Sequence, residues 1–129
     1  MPEKDDDLLE KTFNEAVNRG LNFIDTADSY GTGRLNGRSE ALLGNFLSKL
    51  LPSQSKRITV ATKLAPYPWR IGRNGFKQPF YSSKTRLKQK LDRVQLHWST
   101  ARYAPWQEVQ LMDGLGDLFE EGQISELGI

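Results

Sequence analysis

Apolar residues recur along the chain with two alternating periods, and that alternation predicts the architecture. Leu8, Leu9, Phe13, Ala16 and Val17 fall near one face of a 3.6-residue period, so a first helix is predicted from Asp5-Asp6-Asp7 to a closing Gly20. Carboxylates at its start are expected to cap free amides and to oppose the positive end of the dipole. Leu21 to Thr26 is short and rich in Phe and Ile, as a strand is, and runs into a loop from Ala27 to Arg38 that carries Gly31, Gly33 and Gly37. Ser39 is placed to cap a second helix, whose Leu42, Leu43, Phe46, Leu47 and Leu50 keep the helical period until Pro52 ends it. Arg57 to Lys63 is a β-branched run and predicts a second strand, followed by a long loop with Pro66, Pro68, Gly72, Gly75 and Pro79. Ser82 or Ser83 is the expected start of a short basic helix through Leu91, and Val94 to Trp98 reads as the third strand. Trp106 to Glu121 predicts a helix stopped by Gly122, and Ile124 to Ile129 begins a fourth strand.

Helix and strand thus alternate four times, which implies an α/β fold of parallel strands joined by right-handed helical crossovers, in a barrel or a doubly wound sheet. With 129 residues, 37% hydrophobic and 26% charged, the chain is sized for one modest core, so residues 1–129 are expected to form one domain or part of one. The net charge of +2 comes from 18 basic and 16 acidic residues that are dispersed along the chain, so nucleic acid is not an implied partner. No cysteine is present, which excludes disulfides, thiolate nucleophiles and thiolate metal ligands; with a single His, no metal centre is expected. No run is apolar enough to span a bilayer, and the acidic start is unlike a secretory signal or a transit peptide, so neither a membrane partner nor secretion is expected.

In a parallel sheet the C-terminal ends of all strands lie on one side, so residues that end different strands converge however far apart they are in sequence. Three predicted strand ends carry ionisable groups: Asp25, Lys63 and His97, with Tyr30 in the loop above the first. Taken singly, each has a plain structural reading. Tyr30 reads as a packing residue, Lys63 as a solvated charge, Asp25 as a turn or cap residue and His97 as a core histidine. Jointly they form a candidate site, because an acid, an amine, an imidazole and a phenol meet at one end of the sheet. Gly31-Thr32-Gly33 is not a dinucleotide fingerprint, since the spacing to Gly37 is wrong and no helix opens there. Trp69-Arg70 and Trp98 are candidates for substrate contact or for packing.

The run Gly20-Leu21-Asn22-Phe23-Ile24-Asp25-Thr26-Ala27-Asp28-Ser29-Tyr30-Gly31, with Ser39-Glu40-Ala41-Leu42-Leu43-Gly44, closely resembles the signature of the aldo-keto reductase family. Val60-Ala61-Thr62-Lys63 and Gln95-Leu96-His97-Trp98 look like that family's next two marks, in the same order. His97-Trp98-Ser99, Tyr103-Ala104-Pro105 and Asp113-Gly114-Leu115 resemble a plant and cyanobacterial branch, which makes plastid or cytoplasm the expected compartment. The resemblance implies part of a (β/α)₈ barrel and reduction of an aldehyde or ketone with NADPH as cofactor. It implies Tyr30 as proton donor, Lys63 as the cation that eases proton release, Asp25 as the partner of Lys63 and a contact of the nicotinamide ribose, and His97 as the group that orients the carbonyl. A free phenol has a pKa of about 10, and an adjacent cation lowers it, which is why such a donor needs a lysine.

The resembling stretch runs from the first outer helix to the fifth strand of a barrel that takes roughly 250 residues when whole. The other expected reading is therefore a truncated, inactive fragment that acts as an interaction module and self-associates through open sheet edges. Two departures stand out. Ser82 to His97 looks several residues short for a helix, turn and strand, which would displace His97, and Arg93 and Gln95 are unusual in a buried strand.

Overall fold

The computed structural model describes residues 5–31, 37–89 and 91–128; Thr32 and Gly33 of the predicted glycine loop, and Ile129, lie outside the described residues. Four strands, β1 (Phe23–Asp25), β2 (Thr59–Leu64), β3 (Arg93–Leu96) and β4 (Glu126–Gly128), form one parallel sheet in the order β1-β2-β3-β4. Helices α1 (Asp6–Asn18), α2 (Arg38–Ser48), α3 (Pro52–Ser55), α4 (Lys77–Leu87) and α5 (Pro105–Glu120) precede the strands they feed. In-order parallel neighbours are what a barrel sector requires, and the predicted rhythm of helix and strand is observed.

Helix ends follow their glycines. After α1 the amides of Gly20 and Leu21 bond the carbonyls of Val17 and Ala16 (3.1 and 2.9 Å), and Gly20 takes a φ of +102°, which a residue without Cβ adopts freely. Gly122, with φ +75°, closes α5 through the same pair of bonds, Gly122 to Phe119 and Gln123 to Leu118. Helix starts differ from expectation. Asp5 makes no side-chain cap bond; Asp6 instead pairs with Arg38 at 2.5 Å, a long-range contact that no local pattern encodes. Leu8, expected on the apolar face, is 66% exposed, while Phe13 and Val17 are buried. Gly37, not Ser39, precedes α2, and Ser39 faces Thr26 across 3.0 Å. Pro52 does not end α2, which has stopped at Ser48; it opens the single turn α3, where its missing N–H costs nothing.

The largest correction concerns α4, which starts at Lys77 and ends at Leu87. Pro79 falls within its first turn, where a proline is tolerated, so a residue read as loop is part of the helix. That earlier start supplies the length that Ser82 to His97 seemed to lack, and β3 follows without displacement.

Alternate residues of each strand divide the sheet into two faces. Ile24, Val60, Leu64, Val94 and Leu96 pack beneath the helices with Phe13, Phe46, Phe80, Leu87, Leu111 and Leu115. Glu40 is fully buried in the same layer, accepting hydrogen bonds from Thr62 (2.5 Å) and from Arg86 (2.7 Å), so α2, β2 and α4 are tied through one carboxylate. Gly44 permits the close approach of α2 to α4: a Cβ there would stand 2.0 Å from the Arg86 carbonyl. On the opposite face the register aligns Asp25, Ala61, Arg93 and Glu126 in one row, then Lys63, Gln95 and Gly128 in the next. Arg93 and Gln95 are accommodated because this face is polar: Arg93 pairs with Glu126 and lies over the Phe23 ring, and Gln95 donates to Asp25 at 3.3 Å.

Candidate active site

Asp25 ends β1, Lys63 lies one residue before the end of β2, and His97 immediately follows β3. The sheet therefore carries all three to its C-terminal rim, where Tyr30 stands in the loop that leaves β1. Backbone pairing extends past the strands and fixes that loop: the amides of Thr26 and Asp28 bond the carbonyls of Ala61 and Lys63 (2.9 and 3.0 Å), and the His97 amide bonds Leu64 (3.1 Å).

Lys63 is the hub. Its ammonium donates to Asp25 Oδ2 at 2.8 Å, to the Thr26 carbonyl at 3.3 Å and to the Tyr30 hydroxyl at 3.4 Å. Burial acts to lower the Lys63 pKa, yet the hydrogen bonds and charges of Asp25 and Tyr30 outweigh it and raise the ammonium above the ordinary lysine value. The His97 ring meets Tyr30 edge to face, centroids 5.6 Å apart, and its Nδ1 lies 3.1 Å from Ser29 Oγ. Burial, and then the Lys63 cation, lower the His97 pKa below the ordinary value, with Asp28 and Asp25 opposing them, so the neutral imidazole is favoured. All four residues singled out in the sequence thus lie in one cluster, and Tyr30 and the Asp25 carboxylate both remain about two-fifths exposed.

Two further contributors, Asp28 and Gln107, escaped the sequence reading, and the structure places the candidates Trp69, Arg70 and Trp98. Asp28, inside the signature run, is buried; it accepts from the Ala65 amide (3.1 Å) and from Arg70 (2.6 Å), and Arg70 also donates to the Ala65 carbonyl (2.7 Å) and lies over the Tyr67 ring. That clamp holds the loops after β1 and β2 together. Arg70 is therefore a bracing residue and not a free cation for substrate. Gln107 of α5 donates to the carbonyls of Tyr67 and Arg70 (2.9 and 3.1 Å) and braces the same loop from behind. Trp69 is 72% exposed and stacks on Tyr67 at 4.6 Å, while Trp98 meets Tyr67 edge-on and donates its indole N–H to the Tyr103 hydroxyl at 3.0 Å. These rings make an aromatic wall beside His97, whose ring centroid is 5.2 Å from that of Trp98. A cleft of about 420 Å³ is lined by Tyr67 and Trp69 of this wall, by Asp28 and Arg70, and by residues of α4. None of the four clustered groups lines it; the cluster lies at the open rim of the sheet.

Such a cluster has defined chemical uses. A phenol beside a fixed ammonium is a proton donor whose oxygen can carry negative charge, and a neutral imidazole beside it can donate one hydrogen bond to an acceptor.

The chain is similar to known proteins in both sequence and fold. The family model for the aldo/keto reductase family matches residues 2–129. A chloroplastic pyridoxal reductase of Arabidopsis thaliana is 48% identical over 127 residues, covering 96% of this chain and 35% of that protein. A 6-dehydroglucose reductase of Novosphingobium aromaticivorans is 32% identical over 125 residues, covering 92% of this chain and 40% of its own length. In fold, 98% of the chain superposes on 42% of a thermostable aldo-keto reductase crystallised with the inhibitor epalrestat, at a TM-score of 0.79 and 19% identity. The chain thus spans between a third and two-fifths of the curated relatives' length.

Proposed function

The chain belongs to the aldo/keto reductase family, and from that premise we propose that it carries the proton-donating centre of an NADPH-dependent reductase that converts an aldehyde or ketone to an alcohol. One observation carries the reading: the Lys63 ammonium bridges Asp25 (2.8 Å) and the Tyr30 hydroxyl (3.4 Å) at the rim where the His97 ring also sits. A nicotinamide cofactor, when bound beside Asp25, would supply the hydride that the carbonyl carbon takes up. As charge grows on the carbonyl oxygen, Tyr30 gives up its phenolic proton to that oxygen, and the Lys63 ammonium stabilises the phenolate left behind until solvent reprotonates it. Asp25 holds Lys63 in place, and His97 donates a hydrogen bond that orients the carbonyl.

The residues present fit the nicotinamide end of the cofactor. Asp25 is exposed on the polar face, with one oxygen on Lys63 and the other 3.3 Å from Gln95, and a carboxylate so placed accepts a further ribose hydroxyl. By the family resemblance, the adenosine phosphate is held by later strands, so full affinity requires the rest of a barrel. We read residues 1–129 as one partial reductase domain, completed by further strands at its β1 and β4 edges, from additional chain or from a second copy.

For substrate, the wall of Tyr67, Trp69 and Trp98 suits a flat heteroaromatic aldehyde, and pyridoxal is the first compound to test, given the name of the plant relative. That relative's compartment makes the plastid the location to test first. A second reading, an inactive interaction module, is favoured by the exposed apolar residues Trp106 (66%) and Val109 (61%) on α5 beside the β4 edge. Three measurements on the full chain separate the two: its mass in solution, a fluorescence titration with NADPH, and NADPH oxidation with pyridoxal. Saturable binding with aldehyde-dependent oxidation supports the reductase; a stable species that binds no NADPH favours the module.

A further inference from the structure

The reductase reading requires His97 to donate to a carbonyl oxygen, yet a neutral imidazole has one N–H and its position is a choice between two nitrogens. Ser29 touches one of them. Its hydroxyl lies 3.1 Å from His97 Nδ1, and among the described residues it is the only side chain hydrogen-bonded to that ring. We propose that Ser29 is a positioning residue that sets the tautomer of His97: its O–H donates to Nδ1, which leaves the proton on Nε2 for the substrate.

The argument is one of complementarity. A carbonyl oxygen only accepts, so the nitrogen facing it must carry the hydrogen and the other must accept. Among residues within reach of Nδ1, Ser29 meets that need, since a hydroxyl rotates to donate where a carboxylate or carbonyl would instead demand a proton on Nδ1. Ser29 is also held still. It follows Asp28, whose carboxylate is fixed by Arg70 (2.6 Å) and the Ala65 amide (3.1 Å), and whose own amide bonds Lys63 (3.0 Å). Tyr30 immediately after it closes a turn onto the Ala27 carbonyl at 3.3 Å. From the ring side, Tyr30 and Trp98 flank the imidazole at 5.6 and 5.2 Å. Hydroxyl and ring are thus both preorganised, so the bond costs little further ordering. Asp28, Ser29 and His97 then form a relay of position: the pair of buried Asp28 and part-buried Arg70 fixes the loop, the loop fixes the hydroxyl, and the hydroxyl fixes the proton.

This inference rests on the reductase reading for its purpose but not for its test. The chain has one histidine, so a long-range proton–nitrogen correlation spectrum of the uniformly ¹⁵N-labelled full chain reports His97 without assignment. At a pH well above the usual histidine value of about 6.5, the wild type should show the Nε2–H form. Ser29→Ala should lower the ratio of Nε2–H to Nδ1–H by roughly fivefold, the equivalent of one neutral hydrogen bond. Ser29→Thr, which keeps the hydroxyl, should restore the ratio, and it serves with the wild-type spectrum if the alanine variant does not fold. A wild-type ring protonated mainly on Nδ1, or nitrogen shifts unchanged in Ser29→Ala, overturns the proposal. Absence of aldehyde turnover with the predicted tautomers intact would count against the reductase reading alone.

Discussion

Along β2 the residues Val60, Thr62 and Leu64 are fully buried under the helices, whereas Lys63, between two of them, faces the other way into a polar row. One strand therefore serves two surfaces. The helix-facing surface is apolar apart from groups with buried partners, such as Thr62 and Glu40, and it carries the stability of the fold. The opposite surface holds Asp25, Lys63, Arg93, Gln95 and Glu126, whose mutual bonds are part-exposed and individually weak. The difference teaches that packing and the proposed chemistry lie on separate surfaces of one sheet: substitutions on the first should unfold the chain, and those at the proposed centre on the second should lower activity and leave the fold intact.

The largest effect is expected on the polar surface. Tyr30→Phe should lower carbonyl reduction by a hundredfold to ten-thousandfold, as loss of a general acid does, while thermal stability and NADPH affinity stay near wild type. A parallel loss of both would break the separation. On the helix-facing surface, Phe80→Ala empties a fully buried aromatic site and should destabilise by about 3–5 kcal/mol in urea unfolding. Glu40→Ala removes the carboxylate shared by Thr62 and Arg86; we expect about 3 kcal/mol, the low end for a broken buried pair, because the Arg86 side chain is 29% exposed and partly recovers water. Smallest of all, Arg93→Met on the polar surface should change stability by less than about 1 kcal/mol, since its bond to Glu126 is open to solvent.

Much of this division could be read from the residues. Gly20 and Gly122 marked helix ends correctly because a left-handed cap is a local requirement, and the strand-end positions of Asp25, Lys63 and His97 followed from the rhythm of helix and strand. Local patterns failed where a distant partner decides. Asp6 binds Arg38 instead of capping α1, and Pro79 sits inside the first turn of α4, although proline-rich composition suggested loop. Asp28 with Arg70 and Ser29 with His97 are pairs 42 and 68 residues apart, and no spacing rule announces them. For Asp28 one signal was available: an Asp in the loop after a strand is a residue type whose carboxylate accepts from backbone amides, although the residue type alone does not say which loop supplies them.

The central claim is that groups distant in sequence share one electrostatic environment at the rim, and the single histidine reports on it directly. Burial and the Lys63 cation both disfavour imidazolium, so His97 should titrate below the usual value of about 6.5. Because the unfolded chain then binds more protons between the two values, this group's contribution to stability is complete above about 6.5 and is lost as pH falls through the folded value. In an NMR titration of wild type and Lys63→Met, we predict a low midpoint in the first and an upward move in the second, still short of the free value because burial persists. Identical midpoints in the two proteins would mean that the Lys63 charge does not act on His97, and the shared environment claimed for the rim would be contradicted.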